Sequence, residues 1–192
     1  MENPKQYHWI AAKRILRYVK GTLDHGLFYK HSQNSNLVGY SDSDYGGDID
    51  DRKSTSRYLF HIGSAAFSWS SKKQQMVALS TYAAEYIAAA ECTCQAIWLK
   101  NILDELNFAQ EGPTTIYVDN NSTISLAKNH VSHSRSKHTD TKYHFIREQV
   151  KNKNVDLVYC RTEDQLADIF TKPLKTYTFC RLKEKLGMKN QV

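Results

Sequence analysis

The sequence predicts an α/β fold, a mixed sheet carrying helices on its faces, and three patterns predict it. Two short apolar runs, RYLFHIG at 57–63 and AAFSWSS at 65–71, meet at Gly63 and read as a tight hairpin. From Ala78 to Leu106 the apolar residues switch to three-to-four spacing, the period of one long helix. Beyond it, the apolar runs TTIYVD and VDLVYC are separated by helical stretches. Strands, long helix, strand, helices, strand, helix is the order of a layered mixed sheet.

The elements follow in chain order. Residues 4–20 form a helix, with Pro4 in its first turn and Gly21 as its stop. Trp9, Ala12, Leu16 and Val19 share one face of it, and Arg14, Arg17 and Lys20 crowd the rest. GLFYK at 26–30 and LVGYSD at 37–42 are strands on either side of a polar loop, and GGDIDDRKSTS is a Gly- and Asp-rich connection to the hairpin. The long helix carries Leu79, Ala83, Tyr86, Ile87, Ala90, Cys94, Ile97, Trp98 and Ile102 in a broad apolar stripe. Pro113 opens the strand that ends at Asp119. Helices are expected near 122–129 and over 138–152, then a strand at 155–160. A helix over 163–171 follows, with Thr162 and Gln165 as its capping box, and a basic helix at 176–186 closes the chain.

Composition bounds the function. The chain has 192 residues, 41% hydrophobic and 24% charged, which suits one domain with an appendage and excludes disorder as the main state. No window approaches 18 uninterrupted apolar residues, so no membrane partner is expected. The N-terminus has no charged-then-apolar leader pattern. Cys92, Cys94, Cys160 and Cys180 lack metal spacing and read as reduced thiols of an intracellular protein. The net charge of +6 is unevenly spread: residues 1–30 carry +4 and residues 172–192 carry +5, which leaves the centre at −3. Basic ends suit a polyanion or simply solubilise exposed helices.

The acids in that centre are the informative feature. SDSDYGGDIDD at 41–51 holds five aspartates in eleven residues. A calcium loop counted from Asp42 would need Glu at its twelfth position, where Lys53 stands, and a strand precedes it, so that reading fails. Asp42 and Asp119 each end an apolar strand, and ligands of α/β sheets collect beyond strand carboxyl ends. Glu85 sits among Ala83, Ala84, Tyr86, Ile87 and Ala88, where a lone charge is costly. Asp168 stands in the equally apolar LADIF. Taken singly, these are a solvated turn, a helix cap, a solvent-edge Glu and an acid at a helix start. Taken together, the order strand Asp, helix Glu, strand Asp, helix Asp suits a pair of divalent cations, Mg²⁺ or Mn²⁺ as a substitute, that activate water and stabilise a leaving oxygen.

Seven blocks in order then resemble a known family: GYSDSDYGGDIDDRKSTSRY, FSWSSKKQ, ALSTYAAEYIAAAE, QAIWLKNIL, IYVDNNSTISLAKN, HSRSKHTDTKYHFIRE and TEDQLADIFTKPL. They resemble the ribonuclease H domain that closes the Pol polyprotein of copia-type LTR retrotransposons. The resemblance implies a ribonuclease H-like fold, a five-stranded mixed sheet flanked by helices, here with an N-terminal helical extension. It divides the chain into 1–30, similar to the segment joining the polymerase to this domain, 37–175 as the ribonuclease H domain, and 176–192 as a basic helix and tail. It implies catalytic and metal-binding roles for Asp42, Glu85, Asp119 and Asp168. The implied reaction is hydrolysis of the RNA strand of an RNA–DNA hybrid, giving 5′-phosphate and 3′-hydroxyl ends. The implied partners are the hybrid and the reverse transcriptase segment of the same polyprotein, in the cytoplasm.

The chain departs from the family pattern at two places. Arg57 stands where Gly is usual, and Ala83 where a second acid precedes Glu85. Many ribonucleases H also carry a His in the loop before the last catalytic Asp, and residues 160–167 hold none. Lys72, Lys73, Arg135, Lys137 and Lys142 are candidates for phosphate contacts, and Asn120 and Ser122 for backbone-oxygen contacts. Recognition would read hybrid shape and 2′-hydroxyls. The alternative is a catalytically silent remnant serving as a nucleic-acid-binding or structural module.

Overall fold

The computed structural model describes residues 3–31, 36–128, 137–170 and 172–190, with the side chains of 137–143 left out. Helix α1 is Gln6–Lys20 and strand β1 is His25–Leu27. Strands β2 (Leu37–Ser43), β3 (Thr55–Ile62) and β4 (Ala65–Lys73) precede helix α2 (Thr81–Glu105). Then come β5 (Thr114–Val118), α3 (Asn121–Lys128), α4 (Lys137–Lys151) and β6 (Val155–Tyr159). Two 3-10 turns, Thr162–Asp164 and Leu166–Phe170, lead to α5 (Thr176–Lys185) and β7 (Met188–Asn190).

The expected five-stranded mixed sheet is present, in the order β4-β3-β2-β5-β6. β4, β3 and β2 run antiparallel, because β3 and β4 are joined at Gly63, which adopts φ +61 where other residues would be strained. β5 pairs parallel with β2 and with β6, the pairings that need the helical crossovers. The two-residue period of a strand places Leu59 and Phe60 on opposite faces, and both are fully buried. Phe60 packs with Leu37, Ile116, Leu157 and Tyr86 under α2, α3 and α4. Leu59 packs with Ala66, Leu166, Leu182 and Leu186 under the second 3-10 turn and α5. α2 is apolar nearly all round, with Ala84, Ala88, Ala89 and Ala96 fully buried on a helix that lies flat against the sheet. Its start is set by Ser80, whose Oγ accepts from the Ala83 amide at 3.3 Å.

Two expectations change. The helix expected over 163–171 is a pair of 3-10 turns interrupted at Gln165, whose backbone is extended. The expected capping box does not form, because Thr162 and Gln165 point their side chains into the sheet end. The apolar stripe of α1 forms but buries no residue: Trp9, Leu16 and Val19 are all exposed. β7 was absent from the sequence reading. It pairs antiparallel with β1, Gly26 opposite Lys189, after Gly187 turns at φ +86 so tightly that a Cβ there would meet Ala65. None of the described helices is long and apolar enough to cross a membrane.

Candidate metal centre

The parallel pairing of β2 with β5 sets the site. Val38 lies opposite Thr115 and Tyr40 opposite Tyr117. Two residues beyond that last pair stand Asp42, one residue short of the end of β2, and Asp119, one residue past the end of β5, so the two emerge side by side at the carboxyl end. α2 crosses behind this end. Gln74 fixes it there, donating from Nε2 to Ala84 O and to Ser56 Oγ, both at 3.0 Å. Glu85, the next residue of α2, is thereby held against β2, and its Oε1 accepts from the Ser43 amide at 3.3 Å.

One oxygen each from Asp42, Glu85 and Asp119 lies within 4.8 Å of the others. Asp42 is 1% exposed and Glu85 8% exposed. Asp42 Oδ2 and Glu85 Oε2 are buried without a hydrogen-bond partner among the described residues. Asp168, 3% exposed in the second 3-10 turn, completes the group beside Asp42. It stands outside the mutually close trio, and Lys172 links it in, its Nζ 2.9 Å from Asp168 Oδ1 and 3.7 Å from Asp42 Oδ1. The four acids thus come together from four distant stretches of chain.

Such crowding of like charges in a poorly solvated place opposes ionisation. Burial, then Asp42 and Asp119, push the Glu85 carboxyl up to about 9. Burial and Asp42 raise Asp119, against a hydrogen bond donated by Thr162 Oγ1 at 3.2 Å. Burial and Asp42 carry Asp168 to about 6, although Lys172 opposes them. Burial works against the charge of Lys172, but Asp168, Asp42 and Asp119 outweigh it and its pKa rises. Clustered hard oxygen donors with unsatisfied buried atoms suit a divalent cation, and Asp42, Glu85 and Asp119 lie close enough together to share one.

The other candidates are spread more widely. Asn120 Oδ1 accepts from the Ser122 and Thr123 amides at 2.9 and 3.3 Å, so it caps α3 and leaves Asp119 free of that task. Ser122 is exposed on the first turn of α3, and Lys72 is exposed at the end of β4. Lys73 Nζ is held by Asp48 and Asp51 at 2.6 and 3.0 Å, away from the four acids. Lys137 and Lys142 belong to α4 with side chains outside the described set, and Arg135 lies outside the described residues. Arg57 stands buried beside Asp44, Nη2 to Oδ2 3.2 Å, and keeps ordinary strand pairing opposite Asp42. Gln74, Gln165 and Lys172 are the functional supports that sequence reasoning missed. Lys172 alone left a signal, the four-residue spacing from Asp168.

No protein-family model matches the chain. It is 45% identical over 188 residues to the retrovirus-related Pol polyprotein from transposon TNT 1-94 of Nicotiana tabacum, covering 98% of this chain and 14% of that protein. It is 43% identical over 188 residues to the corresponding polyprotein from transposon RE2 of Arabidopsis thaliana, covering 98% of this chain and 13% of that protein. The chain therefore spans a small fraction of the length of these curated relatives. Among solved structures, the N-terminal RNase H domain of rv2228c from Mycobacterium tuberculosis is similar with a TM-score of 0.49 at 10% identity, over 78% of this chain and 97% of that one.

Proposed function

We propose that the chain, 43–45% identical over 98% of its length to such polyproteins, is the ribonuclease H segment of a copia-type LTR retrotransposon Pol polyprotein, a divalent-cation-dependent hydrolase of the RNA strand of RNA–DNA hybrids. The observation that carries the reading is the trio Asp42, Glu85 and Asp119, oxygens within 4.8 Å, with two buried carboxylate atoms lacking a hydrogen-bond partner among the described residues. A folded protein keeps such a costly arrangement where a cation supplies the missing charge. Asp42, Glu85, Asp119 and Asp168 would hold Mg²⁺, with Mn²⁺ as a substitute. Bound there, a pair of such ions activates water and stabilises the leaving oxygen of a phosphodiester.

The chain's own residues orient that chemistry. Thr162 steadies Asp119, Gln74 seats α2 so that Glu85 faces the strands, and Gln165 seats the turn bearing Asp168. Lys72, Arg135, Lys137 and Lys142 are proposed phosphate contacts, with Ser122 beside the site at the start of α3. We read 37–175 as the catalytic part, 1–30 as the extension facing the reverse transcriptase segment, and 176–192 as a basic end that grips the polyanion. The cytoplasm is the proposed compartment.

Cleavage of an end-labelled hybrid in Mg²⁺ tests the reading against Asp42→Asn and Asp119→Asn. Wild-type cleavage to 3′-hydroxyl products, lost in both variants, is expected. Binding without cleavage would instead favour a silent nucleic-acid-binding module, and equal cleavage by wild type and variants would refute the site.

A further inference from the structure

Four acids converge on this centre, and among the described residues one side-chain cation reaches into it. Lys172 Nζ touches Asp168 at 2.9 Å and Asp42 at 3.7 Å, two of the oxygens proposed to hold a divalent ion. Asp42 and Asp168 are buried, whereas the Lys172 side chain is 41% exposed, so its ammonium enters from solvent on a flexible stem. Its backbone is anchored, the Lys172 amide donating to Asp168 O at 3.2 Å, while its head has open space to retreat into. An ammonium and a divalent cation at those oxygens repel each other strongly in so poorly solvated a place.

We propose that Lys172 is a resident counter-cation that occupies the ground between Asp42 and Asp168 and withdraws when a divalent ion binds, so that it sets how much free cation the centre needs. This inference rests on the reading of the four acids as a cation site. The ammonium screens the acids from one another while no ion is present, and the same contacts make it a competitor of the ion. Binding of the ion and docking of the lysine are therefore negatively coupled, and each must weaken the other by the same factor. The released ammonium lies beside the centre, within reach of an incoming phosphate, on the stretch of chain that follows Asp168.

The test is direct binding of Mn²⁺ to the full chain, by calorimetry and by loss of the free Mn²⁺ paramagnetic signal, in wild type, Lys172→Met, Lys172→Gln, Lys172→Arg and Asp42→Asn. Lys172→Met and Lys172→Gln are expected to bind Mn²⁺ about tenfold more tightly than wild type, within the range usual for coupled sites. Lys172→Arg, which keeps the charge, should stay near wild type. Thermal melts give a second signature. Without metal, both neutral variants melt about 3 °C lower, and saturating Mn²⁺ erases that deficit. Equal or weaker Mn²⁺ binding by both neutral variants would overturn the inference, as would a melting deficit that persists at saturating Mn²⁺. If wild type and Asp42→Asn both fail to bind Mn²⁺, the cation-site reading itself falls and takes this inference with it. Loss of binding in Asp42→Asn alone upholds the site and leaves the lysine variants to decide.

Discussion

Gln165 donates from Nε2 to Ser41 O at 2.9 Å, joining parts of the chain 124 residues apart. A longer bond of 3.4 Å reaches Tyr117 O, so one amide clasps the ends of β2 and β5 together. Gln165 is fully buried, and the turn bearing Asp168 begins at the next residue. Replacing Gln165 by Ala leaves buried carbonyls unpaired and a hole behind the turn. A loss of about 2–4 kcal/mol is expected in urea unfolding, with Mn²⁺ affinity reduced about tenfold or more. An unchanged unfolding midpoint would show that the clasp is dispensable.

Stability of the metal-free protein should fall as pH rises. Glu85 titrates near 9 and Asp168 near 6 in the folded chain, both above the usual carboxyl range because of burial and neighbouring carboxylates. Groups raised in this way bind protons more tightly folded than unfolded, so their contribution is complete below the unfolded carboxyl values and lost on passing upward through 6 and towards 9. Melting temperatures measured from pH 5 to 9 should decline without metal and flatten in Mg²⁺. Parallel curves with and without Mg²⁺ would count against cation binding by these acids.

Glu85→Gln separates stability from chemistry. The amide keeps the shape and, unlike the carboxyl, adds no charge to the crowded group as pH rises. The metal-free variant should melt at or above the wild-type temperature, while the gain on adding Mg²⁺ shrinks. Hybrid cleavage should drop by more than about 100-fold, beyond the usual effect of residues that only orient metal ligands. A melting temperature well below wild type in metal-free buffer would mean that Glu85 is a structural acid.

Arg57 offers a stability test that leaves the four acids in place. Its guanidinium is buried against the less buried Asp44, with Nε and Nη1 lacking partners among the described residues. Asp44→Asn strips that charge of its counter-ion and should cost about 2 kcal/mol, below the full figure for a wholly buried pair because Asp44 is partly solvated. The double variant Asp44→Asn/Arg57→Met should recover most of the loss. Additive losses in denaturant unfolding would show that the two side chains do not act as a pair.

Strands and the long helix were legible because their periods differ sharply, as in TTIYVD against the stripe from Ala83 to Ile102. The burial of Glu85 was legible from its alanine-rich surroundings. Asp42 and Asp119 were legible as strand ends, and their convergence only through the β2–β5 register. What stayed hidden depends on distant partners. β7 is three residues without alternation, specified by β1 at the other end of the chain. The 3-10 turns looked helical because LADIF is apolar, yet Gln165 is drawn out of helical geometry by Ser41 and Tyr117. Lys172 looked like one more surface lysine, because its partner Asp42 lies on β2. The stripe of α1 was legible as a helix face, but nothing in those residues says what covers it.

The spread of the four acids along the chain has a consequence for biosynthesis. Asp42, Glu85 and Asp119 leave the ribosome well before the turn that carries Asp168 and the Gln165 clasp. Until that turn is made, the nascent chain holds three of the acids without the fourth and without the clasp. Assembly of the complete group is therefore a late, long-range step of folding, not a local one.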